Sequence, residues 1–174
     1  MLTQSFRPTE EFRVLRSYMR QRENLVADIG IQRIPRVLTE MNLQICNVLS
    51  DINGTSGMAI LRAIVKGERD PYRLADLCDS RIKARRQQVA ESLDGTWRNE
   101  LLFILKQQLE IHDALAHQVS QCDRQIETHL QTIQQKVDPQ VTPMPAARRP
   151  TKLLNRKHTP QYDLRKYLYQ STRR

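Results

Sequence analysis

Glycine and aromatic side chains are scarce in this sequence, with five glycines and 5% Phe, Trp and Tyr among 174 residues. Few glycines leave few positions for the tight turns of a many-stranded sheet, and few rings leave a light core. Both argue against a β-rich or doubly wound fold and for a helical one. No apolar run reaches the ~20 residues that cross a bilayer, and residues 1–7 lack the apolar core of a signal peptide. The expectation is a cytoplasmic chain without a membrane partner. Cysteine is sparse too: Cys46, Cys78 and Cys122 are odd in number, far apart and in helical contexts. That pattern speaks against a disulfide framework and for reduced, mostly buried thiols.

What is present is periodicity. Residues 96–137 contain no Gly and no Pro, and Leu102, Leu105, Leu109, His112, Ala116, Val119, Asp123, Ile126, Leu130, Ile133 and Val137 step alternately by three and four. This is the heptad period of a coiled-coil seam, so a long helix is expected, capped by Thr96 and stopped by Pro139. Residues 9–49 show a second apolar pattern, interrupted by Arg22 and shifted in register at Gly30 and Pro35, where a kink or short break is expected. Their length matches the 96–137 helix, which makes them its expected antiparallel partner. Residues 53–95 read as an insert of three short helices: one capped by Ser56 and stopped at Gly67, one begun by Asp70-Pro71 with Leu74, Leu77 and Cys78 inward, and one over 81–93. The expected fold is therefore mostly α: a long antiparallel two-helix coiled coil with a three-helix insert at its tip, in a domain covering 1–137. Residues 138–174 form a Pro-rich basic tail, expected to be disordered. Its last stretch, from Tyr162, reads as the start of a truncated helix that ends before it can bury anything.

Charge is concentrated in that tail. The chain carries +9 overall, and residues 138–174 hold nine Lys or Arg against two acids. Arg148, Arg149, Lys152, Arg156 and Lys157, with tyrosines following, combine phosphate-neutralising charge with stacking groups and are the leading nucleic-acid-binding candidates. Arg81, Lys83, Arg85 and Arg86 form a second basic group in the body. Catalytic and metal chemistry find little support. Gly54-Thr55-Ser56-Gly57 lacks the Lys-Ser or Lys-Thr of a P-loop, having Met58-Ala59 instead, and is read as a turn with a helix cap. His112, Asp113, His117, Cys122 and His129 do not make a four-ligand pattern, and no Ser or Cys is paired with a base. No catalytic residue and no metal ligand is assigned.

Several segments together resemble one family. They are Ser5-Phe6-Arg7-Pro8, residues 15–26 beginning Leu15-Arg16-Ser17-Tyr18, residues 41–52 ending Ser50-Asp51-Ile52, residues 57–64 beginning Gly57-Met58-Ala59-Ile60, Gly67-Glu68-Arg69-Asp70-Pro71, and residues 162–169 beginning Tyr162-Asp163-Leu164-Arg165. Collinear over nearly the whole chain, they resemble the DEDD transposases of bacterial insertion sequences, the family of recombinases guided by a structured bridge RNA. The resemblance implies that this chain corresponds to the family's middle, a coiled-coil domain and the linker after it. A RuvC-like domain with four acids and Mg²⁺ would precede it, and a domain with a nucleophilic serine would follow. None of those acids, nor the serine, has a matching position here, so Mg²⁺ is implied only for the absent domain. Pro35 departs from the helix-favouring residue usual in the family.

The expectation drawn is a transposase segment that acts in DNA transposition by dimerising and binding DNA or structured RNA, without catalytic activity by itself. Leu102, Leu105, Leu109, Val119, Ile126, Leu130 and Ile133 are the expected dimerisation seam. The alternative is a regulatory or structural coiled-coil protein that pairs with a full-length transposase.

Overall fold

The computed structural model describes residues 9–30, 33–133, 160 and 162–172. Among them the chain is mostly helical, with no strand. Eight helices follow in order: α1 Glu10–Gly30, α2 Ile34–Glu40, α3 Ile45–Val48, α4 Thr55–Val65, α5 Pro71–Ala75, α6 Arg86–Glu91, α7 Asn99–Thr132 and α8 Leu164–Thr172. They divide into two compact units, Met1–Gly30 with Leu115–Arg174, and Ile31–Ala114. The single helix α7 contributes its first part to one unit and its second part to the other. At 34 residues it is about 50 Å long.

In the first unit, α1 runs antiparallel to the later part of α7. Three cross-helix contacts fix the direction: Tyr18 carbonyl accepts from Cys122 Sγ at 3.2 Å, Arg22 Nε donates to Asp123 Oδ1 at 2.5 Å, and Glu11 carbonyl lies 2.8 Å from His129 Nε2. As the number rises on α1, it falls on α7. Leu15, Cys122, Ile126, Leu130, Ile133 and Tyr162 form the core, with Phe12, Met19, Leu164, Tyr167 and Leu168 packed against it. Arg22, which interrupts the apolar face of α1, therefore stands opposite Asp123, which interrupts that of α7. The two polar breaks pair, leaving 12% and 21% of the side chains exposed. A matched polar pair in a seam fixes register, because sliding the helices would strand both charges against apolar neighbours.

The second unit holds α2 to α6 and the start of α7 around a core that includes Ile34, Leu38, Ile45, Ile60, Leu61, Ile64, Leu74, Leu93 and Leu105, all fully buried. Gly57 sits against Ile52: a Cβ there would lie 2.0 Å from the Ile52 carbonyl oxygen. Gly95 is a second close approach, where a Cβ would meet the Met41 carbonyl at 2.6 Å. The backbone is stitched there, with Thr96 N–H donating to Met41 carbonyl at 2.8 Å and Gln44 N–H to Ser92 carbonyl at 2.8 Å.

Several sequence expectations are corrected. The break expected at Gly30 and Pro35 is there, but the residues after it do not extend α1 to the length of α7. α1 ends at Gly30, Pro35 lies in the first turn of α2, and Asn42, at φ 58°, turns the chain out of α2. Pro lacks the N–H that a helix interior needs but loses nothing in a first turn, so it opens a new helix. Thus α1 pairs with the later part of α7, whereas residues 34–52 belong to the compact unit, which is wider than the 53–95 insert. Thr96 does not cap α7, since its Oγ1 donates to Met41 carbonyl at 3.2 Å and the helix starts at Asn99. Ser56 does not cap α4, which follows Gly54; its Oγ instead accepts the Asp79 N–H at 2.8 Å. Leu77 is 42% exposed rather than inward. The segment from Tyr162 does find burial, in the core of the first unit. Residues 134–159, including most of the basic tail, lie outside the described residues.

Candidate nucleic-acid interface

The basic group in the body is carried by the α5–α6 corner, which a chain of turn contacts holds in place. Gly67, at φ 104°, ends the preceding helix in a conformation suited to glycine. Glu68 then accepts the N–H groups of Arg69 at 2.9 Å and Asp70 at 3.0 Å. Those bonds hold its carboxyl below the ordinary carboxylate range. Asp70 caps α5, accepting from Tyr72 N–H at 2.9 Å and Arg73 N–H at 3.4 Å. Arg69 donates to the carbonyls of Ile64 and Glu68, each at 2.6 Å, and lies over the Trp97 ring at 4.8 Å. Gly67-Glu68-Arg69-Asp70-Pro71 is thus a locked turn that sets where α5 points.

Of the four basic candidates in the body, two are already paired. Arg81 makes a two-pronged bond to Asp79, Nε–Oδ1 at 2.9 Å and Nη2–Oδ2 at 2.8 Å, which holds the Asp79 carboxyl far below its usual range. Arg86 grips Asp76 in the same manner, with Nη2–Oδ2 at 2.8 Å, and stacks over the Tyr72 ring at 5.0 Å. Lys83 and Arg85 are exposed, and no ion pair joins them to a carboxylate among the described residues. Lys83 and Arg85 are thus open to an anion, whereas an anion would have to compete with an aspartate for Arg81 and Arg86. Tyr72, 49% exposed under the Arg86 guanidinium, is a stacking group that sequence reasoning missed. Its signal was its place one residue past Pro71, off the inward face set by Leu74. An open cleft of about 580 Å³ beside Gly67 brings Lys66 and Arg73 to the single carboxylate Glu68.

The remaining site candidates have other employment. Leu105, Leu109, Val119, Ile126, Leu130 and Ile133 are buried in the chain's own cores, and Leu102 is partly buried. Among the residues weighed for metal, His112 is buried with Nδ1 3.4 Å from Asp113, and Asp113 accepts from Arg62 at 2.6 Å. Among the described residues no cluster of His, Cys, Asp and Glu is placed to hold a metal ion. Burial pushes the thiols of Cys46, Cys78 and Cys122 up, away from the thiolate a nucleophile needs. Arg148, Arg149, Lys152, Arg156 and Lys157 lie outside the described residues.

No model of a known protein family, no curated protein and no solved structure matches this chain. What the geometry offers chemically is a pair of open cations beside an aromatic–guanidinium stack on a rigid corner. Among the described residues no helix is long and apolar enough to cross a membrane.

Proposed function

We propose that this chain is the helical segment of an insertion-sequence DNA transposase or recombinase. It serves DNA transposition in the cytoplasm through self-association and binding of DNA or structured RNA, and carries no catalytic activity by itself. The observation that carries this reading is where the resemblance-bearing residues fall. Gly67-Glu68-Arg69-Asp70-Pro71 is an interlocked turn, Ile52 and Gly57 meet at a spacing only glycine permits, and Tyr162 and Leu168 return to pack with Leu15 and Ile126.

Nucleic-acid binding rests on the tail cations Arg148, Arg149, Lys152, Arg156 and Lys157, assisted by Lys83 and Arg85 with Tyr72. Sequencing the DNA on both sides of the coding segment tests the family assignment. The expected result is a four-acid RuvC-like domain upstream and a serine-bearing domain downstream, intact or as remnants. Flanks encoding neither would refute it.

A further inference from the structure

Helix α5 has the Arg86 stack on one side and an open cleft on the other. Tyr72 and Arg73 are successive residues, so their side chains leave the helix about 100° apart. Arg73 and Leu77, one turn apart, line the cleft of about 580 Å³ together with Lys66 and Glu68. Tyr72 and Asp76, also one turn apart, face Arg86 instead: its guanidinium lies 5.0 Å over the Tyr72 ring and is pinned by Asp76 Oδ2 at 2.8 Å. Lys83 and Arg85 stand in the turn that leads into Arg86. The surface therefore presents, in order, the cations Lys66 and Arg73, an aromatic–guanidinium stack, and the cations Arg85 and Lys83. All of these residues belong to the single unit Ile31–Ala114. Lys66, Lys83 and Arg85 are exposed, and no ion pair joins them to a carboxylate among the described residues. Arg73, 74% exposed, is held only loosely, by Glu68 and Asp70 at 3.7 Å each.

We propose that this surface binds an unpaired stretch of nucleic acid across α5. One base stacks on the Tyr72–Arg86 pair, and the phosphates on its two sides meet Lys66 with Arg73 and Arg85 with Lys83. The interleaving of rings and charges selects the occupant. A duplex offers phosphates, but the faces of its bases are covered by their stacked neighbours; an unpaired strand offers both phosphate and an open base face. An acidic protein would use the cations and leave Tyr72, 49% exposed, without a role. The stack is ready for a base, because Asp76 fixes the Arg86 guanidinium over the ring before any ligand arrives and little ordering is left to do. Glu68, the carboxylate of the cleft, is engaged by the N–H groups of Arg69 and Asp70, which leaves Lys66 free for a phosphate. The proposal rests on the nucleic-acid part of the proposed function and adds to it the state of the strand and the place where its bases are held.

The test is fluorescence anisotropy of the full 174-residue chain with labelled strands of about 12 nucleotides, as DNA and as RNA, each alone and annealed to its complement. Tyr72→Ala should weaken single-strand binding roughly fivefold or more, the size of one lost base stack, and should weaken duplex binding much less. Tyr72→Phe, which keeps the ring, should recover most of that loss. Lys83→Ala with Arg85→Ala should weaken both and lower the single-strand salt slope by about 1.4. With iodouracil in the strand and the wild-type chain, ultraviolet light should join the base to Tyr72, located by peptide mapping; this arm holds even if Tyr72→Ala loosens the corner. A Tyr72→Ala chain that binds strands like wild type, a loss shared equally by strand and duplex, or cross-links that avoid Tyr72 would overturn the proposal. Binding that is lost only when Arg148, Arg149, Lys152, Arg156 and Lys157 are changed would overturn it while leaving the proposed function standing, and a chain that binds neither strand nor duplex would overturn both.

Discussion

Replacing Arg22 by methionine removes one half of the ion pair that sets the register of α1 on α7. Arg22 Nε and Nη2 reach the two Asp123 oxygens at 2.5 and 3.4 Å, and the side chains are 12% and 21% exposed. For unit charges ~4 Å apart at an effective dielectric of ~20 the attraction is about 4 kcal/mol. Dehydrating two mostly covered ions cancels roughly half of it, leaving a coupling of about 2 kcal/mol. Arg22→Met and Asp123→Leu should each cost about 2 kcal/mol, because each removes the opposite charge from a mostly buried ion. The double variant should cost about 2 kcal/mol in total rather than 4, since the new apolar pair continues the seam. Urea denaturation followed by circular dichroism, on wild type and all three variants, measures the cycle. Additive losses would refute the pairing as a register device, as would single variants with no effect.

Two further predictions concern parts of the fold with little room to adjust. Gly57→Ala puts a methyl group within 2.0 Å of a backbone oxygen, so α4 must move away from Ile52; a loss of about 2–4 kcal/mol is expected in the same denaturation assay, and a variant as stable as wild type would contradict the close approach. The Tyr162 phenol, buried and near the Asp123 carboxylate, is pushed up to about 12. Its neutral form is the one the fold favours, so its contribution is present below pH 10 and is lost as pH rises from there through 12. Ultraviolet titration of wild type against Tyr162→Phe should show one phenol ionising near pH 12, and its ionisation near 10 would contradict the burial.

Much of this fold was legible in the sequence because heptad spacing reports burial directly. Leu105, Leu109, His112, Val119, Ile126, Leu130 and Ile133 are buried as the spacing requires, and Asp70-Pro71 starts a helix as its residue types require. What periodicity did not show is which surface covers each face. Residues 34–52 have the same apolar spacing whether they extend α1 or fold into a separate unit, and the choice depends on contacts remote in sequence, such as Met41 with Thr96 and Gln44 with Ser92. Hydroxyl residues near helix starts misled for a related reason: Thr96 and Ser56 spend their oxygens on tertiary bonds instead of caps. In the basic group, charge was visible but pairing was not. Only the fold shows that Arg81 and Arg86 face aspartates while Lys83 and Arg85 stay open.

The central proposal, that this chain binds nucleic acid through the basic residues of 148–157, is tested most directly by the salt dependence of binding. In a filter-binding titration of duplex DNA from low to moderate salt, five phosphate contacts give a slope of about −4 to −5 in log affinity against log salt. Changing Arg148, Arg149, Lys152, Arg156 and Lys157 to alanine should weaken binding and reduce that slope by about 4. Absence of binding at low salt, or binding whose slope is the same in wild type and variant, would contradict the account.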